Sequence, residues 1–254
     1  MKTLLTHITI VVLLLVIPMN GMAADVEEDT DSLSCKGQYY FKAAQLAVPG
    51  TLLLAGVMLG INRPNSVIKG VDSWFGSGIT HADDYLRFAP SAAYLGLMTV
   101  PGEKGQNRII DRVLLTATAH ALSLGSAYAL KKAVRASRPD NSDNHGFPSG
   151  HVALAFTGAE LLRLEYGNTY GMAGYAVACA VAVMRLSNHR HYLNDVLFGA
   201  GLGILGARAA YLLLPFEQRL SGLSAGGQRK ITAVVTPGYD ITAKGLTMNF
   251  SARF

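Results

Sequence analysis

After a polar stretch to about Gly37, apolar runs recur at Phe41 to Ile61, Phe88 to Val100, Ile109 to Leu130, His151 to Leu164, Gly171 to Leu186 and Val196 to Leu214. Their lengths, their Ala, Gly and Leu content and the polar connectors between them predict helices, and their succession predicts an all-α bundle. A bilayer crossing needs about 20 apolar residues. Several runs are shorter or carry a charge such as Arg208, yet the pattern favours a membrane-embedded bundle over a soluble periplasmic one. Val48-Pro49-Gly50 interrupts the first run and predicts a bent or interfacial segment rather than a full crossing. The tail changes period: apolar and polar side chains alternate from Leu246 to Phe254 beside a Pro-Gly turn, which predicts a short C-terminal β-hairpin. One hairpin cannot close a barrel, so it is read as an accessory element.

Composition sharpens this picture. A chain of 254 residues, 50% hydrophobic and only 15% charged, has room for one domain with a real core and leans away from an ordinary soluble enzyme. The start has a basic Lys2, an apolar core from Ile8 to Ile17, and small residues at Ala23 and Ala24 before a run of acids. That pattern predicts an export signal over residues 1–24 rather than an uncleaved anchor, and sends the rest to the cell envelope. A polar segment (25–39), a helical domain (40–215) and a tail (216–254) follow. The net charge of +5 comes without a Lys/Arg block, which excludes a nucleic-acid surface. Cys35 and Cys179 have no metal-site spacing and indicate no disulfide.

Charge also suggests an orientation. Gly102 to Arg108 and the region of Arg219, Arg229 and Lys230 are basic and prefer the cytoplasm. If every run crossed after signal cleavage, the loop after Leu130 would fall on the cytoplasmic side. A first run that does not fully cross returns that loop to the periplasm.

Three stretches carry candidate chemistry. In "KKAVRASRP", Lys131 and Arg138 lie seven residues apart, so a helix running to Pro139 would present both on one face as an oxyanion clamp. In "NHGFPSGHVALAF", Ser149 is placed to cap the next helix and Gly150 permits close backbone approach, which seats an anion at the helix N-terminus with His151 at its lip. In "MRLSNHRHYLNDV", Asp195 follows His191 by four residues, the helical spacing at which a carboxylate fixes an imidazole tautomer and leaves the other nitrogen free to attack. Arg185 adds a planar, permanently charged fork for phosphate oxygens, while His189 has no acid four residues later. Taken singly, each stretch has an ordinary explanation: snorkelling cations, routine capping, or a solvated loop.

Together and in this order they resemble the type 2 phosphatidic acid phosphatase (PAP2) superfamily, with its motifs Lys-x6-Arg-Pro, Pro-Ser-Gly-His and Ser-Arg-x5-His-x3-Asp. They stand here as Lys131 with Arg138-Pro139, Pro148-Ser149-Gly150-His151, and Met184-Arg185 with His191 and Asp195. Met184 departs from the pattern's Ser and removes one hydroxyl contact to phosphate. The resemblance implies a PAP2-type helical bundle and a phosphatase in which His191 attacks phosphorus, Asp195 orients it, and His151 protonates the leaving oxygen and then activates water. Lys131, Arg138, Arg185 and the backbone N–H groups near Ser149 and Gly150 would hold the oxygens, with no metal and no cofactor needed. The implied partner is a phosphorylated membrane lipid, such as a lipid A phosphate, undecaprenyl diphosphate or phosphatidate. Residues from Asn62 to Leu86, with Trp74, Phe75 and Tyr85, are an interfacial candidate or simply bundle packing. The competing functions are a lipid phosphotransferase, a soluble periplasmic acid phosphatase, a vanadium haloperoxidase and a non-catalytic membrane scaffold.

Overall fold

The computed structural model describes residues 46–62, 69, 71–72, 81–103 and 105–220, and for 232–240 and 245–253 the backbone alone. The expected export signal, the polar segment, Trp74 and Phe75 lie outside the described residues. The helices are α1 (Ala47–Asn62), α2 (Ala82–Leu86), α3 (Ala89–Gly96, continuing as a 3-10 turn over Leu97–Thr99), α4 (Ile109–Val134), α5 (Gly150–Tyr166), α6 (Asn168–Ser187) and α7 (Leu193–Leu220). The bundle is therefore helical, as the runs predict.

Helix α5 is the axle of the bundle. From Val152 to Leu162 every residue is buried, because α3, α4, α6 and α7 all pack around it. A helix enclosed on all sides has no polar face to keep wet, which is why its sequence shows no amphipathic stripe. One core gathers Phe156, Tyr175, Val181, Leu186, Leu197 and Ile204, and a second gathers Tyr94, Leu115, Leu161, Tyr211 and Leu214. Gly167, at φ 89, ends α5 in the left-handed region, and α6 restarts at the next residue, so the two helices form a tight antiparallel pair. On α7, Gly199 and Gly203 face the backbone of α5; a Cβ at Gly199 would stand 2.5 Å from the Ser149 carbonyl oxygen. These glycines let the first turns of α5 and α7 meet.

Two carboxylates of α5 are buried within this packing. Glu160 accepts from Arg208 (2.6 Å), from Arg163 through two contacts of 2.8 Å, and from the Tyr175 hydroxyl (2.7 Å). Glu165 accepts from Asn107 and Tyr211 and pairs with Arg112 at 3.0 Å. The Arg208 that interrupts the last apolar run thus serves an interior ion pair.

Among the described residues, three helices are long and apolar enough to cross a membrane: Ile109–Val134, Asn168–Ser187 and Leu193–Arg219. Their outer faces carry exposed apolar residues, including Ile109, Ile110 and Val113 on α4 and Leu212, Leu213 and Phe216 on α7. The bend expected in the first run is absent from Ala47–Asn62, which is one helix of 16 residues. Pro49 stands in its first turn, where the missing N–H breaks no helical hydrogen bond. At about 1.5 Å per residue such a helix falls short of a hydrocarbon core about 30 Å thick.

Candidate active site

The chemistry-bearing residues converge where the C-terminal ends of α4 and α6 meet the first turns of α5 and α7. His191 lies in the connector just before α7 and is 1% exposed. Its Nδ1 stands 2.7 Å from the Gly146 carbonyl oxygen, an acceptor, so Nδ1 carries the hydrogen and Nε2 the lone pair. Asp195, the carboxylate expected to orient this ring, has its Oδ2 3.7 Å from Nδ1, so the Gly146 carbonyl is the nearer acceptor. The four-residue spacing is not helical here, because the helix begins only at Leu193. Asp195 instead accepts the Tyr192 N–H and the Asn194 side-chain amide, both at 2.8 Å, in the first turn of α7, where a negative charge suits the helix dipole. Gly146 is itself held by its N–H on the Ala136 carbonyl at 2.8 Å.

The cation clamp also forms differently from the expectation. Helix α4 stops at Val134, with Arg135 in the left-handed region at φ 49, so Lys131 and Arg138 do not share a helical face. The loop returns Arg138 to the site, where its Nε donates to Asp143 at 2.7 Å, while Lys131 Nζ donates to the His145 carbonyl at 2.7 Å. Arg185, at the end of α6 and 7% exposed, donates from Nη1 to Asp83 Oδ2 at 2.6 Å. All three cations act on His191.

Ser149 occupies the N-cap position of α5 but makes no side-chain cap bond. Its backbone N–H donates to the Asp195 carbonyl at 2.9 Å and ties the two helix starts together. Its buried hydroxyl, like Arg185 Nε, has no partner among the described residues. Gly150 opens α5 with the Lys131 side chain alongside, its Cε 4.0 Å from where a Cβ would stand. An unpaired buried hydroxyl at a helix start, together with an unpaired guanidinium N–H, is the arrangement an anion completes.

His151, in the first turn of α5, has Nε2 at 2.7 Å from Asp84 Oδ1 and 2.6 Å from Arg87 Nη1. Burial and then the Arg185 charge push its pKa down to about 4 against the pull of Asp84. Burial, followed by Arg185, Lys131 and Arg138, holds His191 well below the usual imidazole range. Both rings are neutral at pH 7, as a nucleophilic imidazole must be. A pKa lowered on folding contributes stability present above the unfolded value of about 6.5 and lost as pH falls through the folded value. Thermal unfolding in detergent should therefore come at lower temperature at pH 5 than at pH 7, and His151→Gln should flatten that dependence; an equal slope in the variant would contradict it.

Asp83, Asp84, Arg87, Asn188 and Gly146 were not anticipated. Asp83 is 1% exposed and binds both Arg185 and, at 3.2 Å, the Asn188 amide. The available signal was "HADDYLR", two acids and an arginine directly before an apolar run. His189 turns away, its Nε2 2.8 Å from Asp72 Oδ2. Met184 packs against the core beside Val183. Ligand atoms of Asp83, Asp84 and His151 lie within 4.8 Å of one another. Arg185 and Arg87 already hold this group, so the set suits a cation poorly.

Residues 112–219 match the sequence model of the PAP2 superfamily. The chain is 33% identical over 180 residues to a lipid A 1-phosphatase of Porphyromonas gingivalis, covering 69% of this chain and 40% of that protein. The chain thus spans well under half the length of that relative. No solved structure matches it. The matched stretch runs from the second turn of α4 almost to the end of α7 and holds all three motif stretches on one site, and this segment belongs to the PAP2 superfamily.

Proposed function

We propose that this protein is a phosphatase that hydrolyses phosphate monoester or pyrophosphate groups of membrane lipids through a phosphohistidine. The observation that carries the reading is that His191 commits its Nδ1–H to Gly146 and so keeps the lone pair on Nε2, among three cations and beside two unpartnered buried donors, Ser149 Oγ and Arg185 Nε. His191 Nε2 attacks phosphorus as the bond to the leaving oxygen breaks, and that oxygen takes a proton from His151. Water then attacks phosphorus, giving a proton to His151 as the P–O bond forms, and the phosphorus–nitrogen bond breaks with its electron pair returning to His191 Nε2, which releases phosphate. Lys131, Arg138, Arg185, Ser149 and the N–H groups from Gly150 onward hold the phosphoryl oxygens and offset their charge without a metal ion. His151 enters neutral, and the arriving phosphate's negative charge favours the protonated ring it needs as an acid.

A lipid substrate is supported by the three apolar helices, which make an integral membrane protein the natural reading, and by the name of the Porphyromonas relative, which points to a lipid A phosphate. A periplasm-facing site is supported by charge. Arg108 stands at the start of α4 and Arg219 near the end of α7, the helix ends opposite the site, which the positive-inside rule keeps in the cytoplasm. The helical domain, expected to end at residue 215, extends to the end of α7 at Leu220, and the tail forms an accessory hairpin. Backbone pairing of Thr232 with Arg253 through Asp240 with Gly245 supports it, although Pro237 and Gly238 then lie within a strand rather than at the turn.

Phosphate release by purified protein in detergent with a chelator tests this reading, using lipid A, undecaprenyl diphosphate, phosphatidate and a soluble ester. Selective release from a lipid is expected. Release from the soluble ester alone would make it a periplasmic acid phosphatase, and a chelator-induced loss restored by Mg²⁺ would overturn the cation clamp.

A further inference from the structure

Helix α2 and the residue after it lie outside the family-matched segment, yet they supply three side chains to the site: Asp83, Asp84 and Arg87. Asp83 anchors Arg185. The other two meet on His151, and their contacts set a hydrogen-bonding constraint. A ring nitrogen carries at most one hydrogen, so Nε2 cannot both donate to Asp84 Oδ1 at 2.7 Å and accept from Arg87 Nη1 at 2.6 Å. Arg87 Nη1 also lies 3.2 Å from Nδ1, an ordinary length for an N–H donating to a ring nitrogen. With Nε2–H donating to Asp84, Nδ1 is the nitrogen left to accept from Arg87, and the 2.6 Å approach of Nη1 to Nε2 is then a donor–donor contact that a small turn of the guanidinium toward Nδ1 relieves.

Building on the assignment of His151 as the proton donor and acceptor, we propose that Asp84 is a positioning residue that fixes the Nε2–H form of His151 and makes Nδ1 the atom that exchanges the proton with the leaving oxygen and water. Arg87 covers Nδ1 in the resting site, and its Nε has no partner among the described residues. An anionic phosphate competes for that guanidinium and uncovers Nδ1. The charged groups facing the ring are Asp83, Asp84 and Arg87 from the α2 region and Arg185 from α6. Without Asp84, the contact that most favours the protonated ring is lost and two guanidinium groups oppose it. The dependence is mutual, since the hydrogen bond from His151 is the chief cause that holds the Asp84 carboxyl below its usual range.

The test reads the ring directly. In protein labelled with nitrogen-15 histidine, the His151 resonances are those lost in His151→Gln, and their shifts at pH 7 report which nitrogen bears hydrogen. The wild type and Asp84→Glu should show the Nε2–H form; Asp84→Ala should change to Nδ1–H, with Arg87 then donating to Nε2. In turnover, Asp84→Ala and Asp84→Asn should move the alkaline limb of kcat to lower pH by about one unit and lower kcat at pH 7 about tenfold, with KM little changed. A merely structural role would lower kcat equally at every pH. An unchanged tautomer in Asp84→Ala would overturn the proposal even in an active enzyme. The expected change in a protein that hydrolyses none of the lipids would support it and remove the phosphatase reading instead.

Discussion

Replacing His191 with alanine should abolish phosphate release, lowering kcat by about a thousandfold or more, because no other described group offers phosphorus a bare nitrogen among three cations. The substitution also leaves the buried Gly146 carbonyl without its donor, a cost of about 1–3 kcal/mol that must be separated from lost chemistry. His191→Asn serves that purpose, since its amide can still donate to Gly146 while offering no nucleophilic nitrogen. Both variants should stay folded and inactive, and free imidazole should restore part of the activity of the alanine variant. Release at the wild-type rate from folded His191→Asn would place the nucleophile elsewhere.

The largest expected effect on stability lies at Glu160, on the same helix as His151 but buried within the bundle. Glu160→Gln keeps the shape but removes the charge that compensates Arg208, a side chain 2% exposed whose Nη1 already lacks a partner among the described residues. Arg163 is partly exposed and can turn toward solvent, whereas Arg208 is fully enclosed against α5. Breaking a buried pair in this way costs about 3–5 kcal/mol, because an uncompensated charge stays in a low-dielectric interior. Thermal unfolding in detergent should fall accordingly. Combining Glu160→Leu with Arg208→Met should recover most of the loss, since an apolar pair carries no desolvation penalty. A Glu160→Gln protein that unfolds at the wild-type temperature would mean that water or a second partner compensates Arg208.

The order of helices and the residues proposed to handle phosphate were legible as candidates because both depend on local pattern. Apolar runs mark segments that must leave water, and a Pro-Ser-Gly-His turn before such a run marks a helix start whatever surrounds it. The partners of those residues were not legible. Asp195 sits at the expected spacing from His191, but spacing positions a side chain only within one continuous helix, and His191 precedes the helix. Arg138 reaches the site through a loop released by the left-handed turn at Arg135, not along a helical face. Gly146, Asp83, Asp84 and Arg87 join the site through contacts with no periodic trace in the chain. Local sequence therefore determined which groups this protein has to work with and roughly where its helices run. Tertiary packing decided which nitrogen of each histidine bears its hydrogen, because that depends on the acceptor a distant segment brings within about 3 Å.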